Sequence, residues 1–262
     1  MKITILGARG SIPTEGKGMS AFGGATSCVM VEAGENVIVL DAGTGITGVN
    51  DVGVRSVSVL ITHPHVDHIL GLPFFSCMLE KNRRIDIYAT VKDGIGAYGQ
   101  ISSLISTPLW PCTADDYPAD VCCHDITGPF IIGDVGIDLT ESCHPGGSTI
   151  FRIEHDGMSF VYATDYEHSD EGDERLADFC RGTDLLLYDG QYTKEEYDSK
   201  RGYGHSTPEH GVYIMKKSNA HMMRIVHHDP CHDDEMLERM EKEIKNENTA
   251  FARQGEVIWL QR

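Results

Sequence analysis

The sequence predicts an α/β protein in which two sheets are sandwiched between helical layers, and three observations predict it. Short apolar, β-branched runs recur in both halves of the chain, each bounded by a turn or a helix signal. Strands come early and late, and each half is closed by helices that would cover a sheet's outer face. The 262 residues contain no internal repeat and no Pro/Ser-rich linker, so residues 1–262 read as one domain with an ample core.

Taken in order, Met1-Lys2-Ile3-Thr4-Ile5-Leu6-Gly7 ends too soon for a signal peptide and reads as a strand over 2–7. Apolar runs at 28–32, 37–41 and 57–61 follow, separated by glycine-rich turns. A helix is expected through Ile69 to Glu80, delayed or kinked by Pro73, and then a strand at 85–89. Residues 92–118 change character, with Gly94, Gly96, Gly99, Pro108, Pro111 and Pro118 among the aromatics Tyr98, Trp110 and Tyr117. This stretch predicts a partly helical insertion, which either walls a site or only packs on the surface. Strands return at 130–132, 135–141, 149–154 and 158–163, and a helix at about 171–181 precedes a strand at 184–188. Ser206-Thr207-Pro208-Glu209 is a helix start: hydroxyl cap, proline in the first turn, carboxylate near the positive end. A strand at 222–226 follows. Met236, Leu237, Met240 and Ile244 then form a helical stripe that reads as core packing.

Composition excludes several classes. A formal charge of −18 repels a polyanion, which disfavours long nucleic acid as a partner without excluding a small phosphorylated substrate. No apolar run is long enough to span a membrane. Eight cysteines without C-x-x-C spacing read as reduced thiols of a cytoplasmic protein. The apolar segment Leu72–Leu79 is either core or the face of a homodimer.

Function is carried by Thr62-His63-Pro64-His65-Val66-Asp67-His68, four potential metal ligands within six residues, directly after the buried run 57–61. A loop leaving a strand's carboxyl end is held by a rigid sheet and can aim such groups. Imidazole with carboxylate suits zinc, manganese or iron. Later strands repeat the arrangement. His144 follows the strand at 135–141, Asp165 the strand at 158–163, and His227 and His228 the strand at 222–226.

This order of motifs resembles the metallo-β-lactamase superfamily from the Gly7–Gly10 loop to His227, with H-x-H-x-D-H its most specific element. The resemblance implies a four-layer αββα sandwich with two divalent metal ions, Zn2+ in first place, with Mn2+ and Fe2+ as alternatives. Carried over, His63, His65 and His144 hold one metal, Asp67, His68 and His227 the other, and Asp165 bridges them. His228 competes for the last position; His227 is preferred as the first residue after the strand. Asp41 in Leu40-Asp41-Ala42-Gly43 would orient ligands from behind. Arg9, between glycines, is expected to be an exposed structural arginine rather than a phosphate ligand.

Gly204-His205-Ser206-Thr207 resembles the His-Ser-Thr element of the ribonuclease Z-like phosphodiesterases. That resemblance implies hydrolysis of a phosphodiester, with His205 donating a proton to the leaving oxygen while Asp67 and Asp165 serve the metals and the attacking water. Glu167 and Tyr203 lie nearby without a motif. Relatives that process transfer RNA carry an arm between the positions of His144 and Asp165, where only twenty residues stand here. The substrate expected is therefore a cyclic nucleotide, cyclic ribose phosphate or short oligonucleotide. The alternatives are a ribonuclease Z-like endonuclease, a lactone or thioester hydrolase, and a non-enzymatic binding protein on the same fold.

Overall fold

Every strand at the centre of this protein is buried on both faces, which is why the strands read as unbroken apolar runs rather than alternating ones. The computed structural model describes residues 1–50, 52–53, 55–244 and 246–261. The first sheet holds β1 (Lys2–Gly7), β2 (Cys28–Ala33), β3 (Asn36–Leu40), β4 (Val57–Ile61), β5 (Arg84–Thr90) and β6 (Asp120–Ile126). The second holds β7 (Phe130–Ile132), β8 (Val135–Ser142), β9 (Ser148–His155), β10 (Met158–Ala163), β11 (Leu185–Asp189), β12 (Met222–Val226) and β13 (Thr249–Phe251). β14 (Val257–Trp259) returns to pair with β1, giving the orders β14-β1-β2-β3-β4-β5-β6 and β13-β12-β11-β10-β9-β8-β7.

The period of two sorts these strands between three cores. Ile38, Leu40 and Leu60 of the first sheet meet Phe160, Tyr162, Leu185 and Leu187 of the second in the central layer. Their neighbours Val37, Val39, Val57 and Val59 face the outer core of the first sheet, and Val161, Leu186 and Tyr188 that of the second. The second outer core is closed by α3 (Asp170–Phe179), α5 (Pro208–Ser218) and α6 (Asp234–Glu243), with Leu176, Ile214 and Leu237 at its centre. Thr207 caps α5 by accepting from His210 N, as the Ser-Thr-Pro-Glu signal predicts. α4 (Lys194–Lys200) carries a capping box from Thr193 and Glu196.

The first outer layer departs from expectation. The helix anticipated over Ile69–Glu80 is broken into α1 (Val66–Ile69) and two 3-10 turns, Leu72–Phe74 and Ser76–Leu79. Pro73 cannot donate within a helix, and Leu72, Phe75 and Met78 are buried as single anchors instead. Phe74 and Leu79 of the same segment are exposed. Residues 92–118 supply α2 (Ala97–Ser102) and bury Ala97, Ile101, Ile105 and Ala114 against the first sheet, so this stretch forms part of its helical layer. Among the described residues no helix is long and apolar enough to cross a membrane.

Both sheets are mixed. β3, β4, β5 and β6 run parallel to one another, as do β10, β11, β12 and β13. Parallel strands end on the same side, so their exit loops are brought together there.

Candidate metal centre

The H-x-H-x-D-H loop leaves β4 and turns at once into α1, which begins on Val66 with His65 as its N-cap. Thr62 locks the exit: its backbone N–H and its hydroxyl both donate to the Asp41 carboxylate, at 2.8 and 3.0 Å. His63, Asp67 and His68 are buried, and His65 is exposed. His144 follows β8, Asp165 follows β10 and His227 follows β12, as the strand-exit rule anticipates.

The structure gathers these residues. His63, His65 and His144 present ligand atoms within 4.8 Å of one another, and so do Asp67, His68 and His227. Asp165 lies between the sets: Oδ2 is 3.1 Å from His68 Nε2, and Oδ1 is 3.7 Å from His63 Nε2 and 3.4 Å from His227 Nε2. Asp41, Asp165 and His227 adopt positive φ of 59°, 52° and 64°. Such conformations cost about 1–3 kcal/mol each for non-glycine residues and concentrate at functional sites.

Four of the five rings are held from behind by their Nδ1 atoms, while His65 Nδ1 lies 3.2 Å from His144 Nε2 within the cluster. His68 Nδ1 is 2.7 Å from Asp41 Oδ2, His144 Nδ1 is 3.0 Å from Gly204 O, and His227 Nδ1 is 2.8 Å from Gln191 Oε1. His63 Nδ1 is 3.1 Å from the Thr62 hydroxyl, whose proton is already committed to Asp41. Anchoring through Nδ1 turns the Nε2 atom of all four rings toward the cluster, the orientation that metal-binding histidines require. Nε2 of His63 is buried without a hydrogen-bond partner, as is Nε2 of His68.

Charge points the same way. Asp41, Asp67, Asp165 and Asp189 are all buried, and their ion-pair partners among the described residues are histidines only. Burial opposes ionisation of Asp165, yet the imidazoles of His227 and His68 outweigh it and hold the carboxyl well below its usual range. Burial likewise opposes the Asp67 charge, and His68 and His227 overcome it. His63 is pushed well below the ordinary imidazole range by burial and then by His68, so it stays neutral. Without an ion, the charge of these carboxylates is met only by histidines, and Asp165 and Asp67 push His68 and His227 above the ordinary imidazole range; a set of buried carboxylates and imidazoles is one that fits divalent cations.

The competing residues are placed differently. His228 turns away from the cluster. Its Nε2 lies 2.9 Å from Ala252 O, its ring stacks on Phe251, and burial pushes it down to about 3. Arg9 corrects an expectation, because it is fully buried rather than exposed, donating to the carbonyls of Gly23, Asp229 and His232. Its role is structural, tying the first loop to the one after β12. Glu167 accepts from Tyr197, Gly202 N and Gly204 N, and so shapes the loop before His205, while Tyr203 is exposed. No group that gathers here among the described residues includes a cysteine.

His205 sits at the edge of the cluster, 8% exposed, its ring stacked on His227 with centroids 4.7 Å apart. Its Nδ1 donates to Asp189 Oδ2 at 2.8 Å. Asp189 ends β11 as the other gathered residues follow their strands, but carries no motif. Followed by Gly190, it passes for a turn residue. Gln191, which holds His227, carries no titratable group and left no signal.

Residues 36–228 match the family model described as the beta-lactamase superfamily domain. A ribonuclease Z from Haloarcula marismortui is 22% identical over 278 aligned positions, covering 87% of this chain and 86% of that one. Among solved structures, the metallo-β-lactamase fold protein YhfI from Bacillus subtilis superposes with a TM-score of 0.74 at 19% identity, over 98% of each chain. A diphosphatase from the PhnP family superposes with a TM-score of 0.72 at 19% identity, over 99% of this chain and 98% of the other.

Proposed function

The chain belongs to the metallo-β-lactamase superfamily, and from that premise we propose that it is a metal-dependent phosphodiesterase acting on a small phosphodiester. The observation that carries this reading is the His205–Asp189 pair at 2.8 Å, held against the ligand cluster by the stack on His227. A hydrolase of lactones or thioesters would use the same cluster without needing a proton donor set beside it.

His63, His65 and His144 would hold one divalent cation, Asp67, His68 and His227 a second, with Asp165 shared between them. When bound, the two cations neutralise charge on the phosphoryl oxygens and acidify water in the cleft. Asp165 and Asp67 supply the negative charge that retains them. Asp189 accepts the Nδ1 proton of His205, which leaves Nε2 to deliver a proton to the departing oxygen. The carboxylate also stabilises the imidazolium before it gives that proton up. Helix α5 begins two residues after Ser206, and its positive end favours an anion near this segment.

A small diester is favoured by the hairpin of β9 and β10, which fills residues 145–164 where an RNA-binding arm would be inserted. The net charge of −18 supports the same preference. Cyclic nucleotides, cyclic ribose phosphates and short oligonucleotides remain the substrate classes. The second reading, a ribonuclease Z-like endonuclease, is supported by the relatives of that name at 22% and 23% identity across 87% of this chain.

The test is hydrolysis of bis(p-nitrophenyl) phosphate by metal-loaded and chelated protein. Chelator-sensitive turnover is expected. His205→Ala should keep its metal while losing roughly 10²–10⁴-fold in rate on alkyl diesters, and far less on p-nitrophenyl ones. Absence of turnover with two metals bound per chain would refute the phosphodiesterase reading and favour lactones and thioesters.

A further inference from the structure

Beside the first ligand set lies a cavity of about 180 Å³, lined by His63, His65, Lys92, Gln100 and the Gly146-Gly147 turn, with Asp93 as its one carboxylate. Asp67, Asp165, His205 and His227 do not line it, so the cavity flanks the cluster rather than containing it. One water needs at least about 10–15 Å³ of such space, so the cavity admits a group the size of a phosphoryl.

Lys92 is the cation of this cavity. It is half-buried, and burial pushes its ammonium down, offset in part by Glu141. The lysine ion pairs among the described residues are those of Lys2, Lys200, Lys217 and Lys242, and Lys92 makes none. Partial loss of hydration without a contact ion pair leaves the ammonium able to gain from an anion in the cavity. In a chain of net charge −18, surface carboxylates are plentiful, yet none pairs with this one.

Its position is fixed. Lys92 N donates to Ile95 O at 3.1 Å, and Ile95 N returns the bond to Lys92 O at 2.7 Å. The buried Gln100 amide donates to Thr90 O and Ile95 O, at 2.7 and 2.9 Å, clamping the turn on both sides of the lysine. The Thr90 hydroxyl bonds that of Thr149 across to the second sheet at 2.8 Å. Opposite stand Gly146 and Gly147, each at φ +78°. A Cβ on Gly147 would lie 3.5 Å from Lys92 Nζ, and one on Gly146 would lie 4.0 Å from His65 Nε2. That wall therefore carries no side chain between the lysine and the ligand loop.

We propose that this cavity is a subsite for a second anionic group of the substrate, a phosphoryl group joined to the scissile diester, with Lys92 as its counter-ion. The proposal rests on the phosphodiesterase reading and narrows it to substrates with at least two phosphoryl groups. A terminal phosphomonoester and the next diester of a short oligonucleotide offer the same chemistry.

Three probes test it as inhibitors of bis(p-nitrophenyl) phosphate hydrolysis by the metal-loaded protein: the dithymidine dinucleotide, its 5′-phosphorylated form, and the thymidine trinucleotide. One or both of the probes with two phosphoryl groups should inhibit at least tenfold more tightly than the dinucleotide. Lys92→Ala and Lys92→Gln should erase that advantage, and Lys92→Arg should retain most of it. Which probe gains tells whether a terminal phosphate or an internal diester fills the subsite. Equal inhibition by all three, or an advantage that survives both neutral variants, overturns the proposal. Calorimetric titration of the chelated protein with the same probes and variants decides the matter independently of turnover. A failure of the diesterase reading is thereby separable from a failure of the subsite.

Discussion

Replacing Asp189 by asparagine removes one charge from behind His205 and leaves the shape of the cleft unchanged. Oδ2 accepts from His205 Nδ1 at 2.8 Å, the length of a charge-assisted bond. Oδ1 accepts from Gln191 N at 3.1 Å and Ser206 N at 3.3 Å. An asparagine carbonyl can keep the backbone pair only by turning its NH2 toward a ring nitrogen that also donates. The variant therefore loses a hydrogen bond to a charged group, about 1.5–3 kcal/mol. At 1.4 kcal/mol per tenfold, that is roughly a 10- to 150-fold fall in kcat for diesters with alkoxide leaving groups. Asp189 also gathers with His205 and His227 closely enough to hold an ion, its Oδ2 lying 3.9 Å from His227 Nδ1, so the proton-donor role requires that metal content stay unchanged in the variant. The assay is a leaving-group series from alkyl to p-nitrophenyl, with metal content measured by elemental analysis. The fall should shrink as the leaving group improves, and Asp189→Asn should add little to His205→Ala, since the two act as one unit. A fall of equal size across the series, or full additivity with His205→Ala, would show that Asp189 does not work through proton donation.

Three further outcomes follow from other contacts. Asp41→Asn weakens the grip on His68 Nδ1 and on Thr62, so metal affinity should drop by about 10–100-fold; unchanged affinity in a chelator-competition titration would show that Asp41 serves the turn alone. Gly204→Ala places a Cβ 2.0 Å from His144 Nδ1 at φ +91°, so urea unfolding should show a loss of at least about 1–3 kcal/mol together with less metal bound per chain. His168 is pushed down to about 4 by burial and then by His210, below the ~6.5 of a free imidazole. Its folded form favours the neutral ring, so its contribution is full above pH ~6.5 and is lost as pH falls toward about 4. Urea midpoints at pH 7.5 and pH 5 should therefore differ less in His168→Gln than in the parent, and an identical difference counts against the assignment.

Much of the site was legible because each ligand type follows an apolar run, and the run itself announces a strand. His63, His65, Asp67, His68, His144, Asp165 and His227 converge as those exits require. What escaped notice did so for physical reasons. β6 carries Cys122-Cys123-His124 at half-buried positions, so it shows neither a clean alternation nor an apolar run. β13 and β14 have three residues each, too few for any period. α4 buries only Tyr197 and has no apolar stripe. The helix anticipated over Ile69–Glu80 followed an apolar segment whose side chains are buried one at a time around Pro73.

By itself the sequence determined the residue types at each strand exit, the doubly buried strands and the capped start of α5, because these depend on local pattern and on the chemistry of single side chains. Only the tertiary structure decided that His227 and not His228 faces the cluster, that Arg9 is buried among carbonyls, and that Asp189 stands behind His205. Those are relations between elements distant in the chain: Asp67 meets His227 across 160 positions. Parallel strands that end on the same side erase that distance, and the order in which they lie side by side is settled by how two sheets bury their shared face.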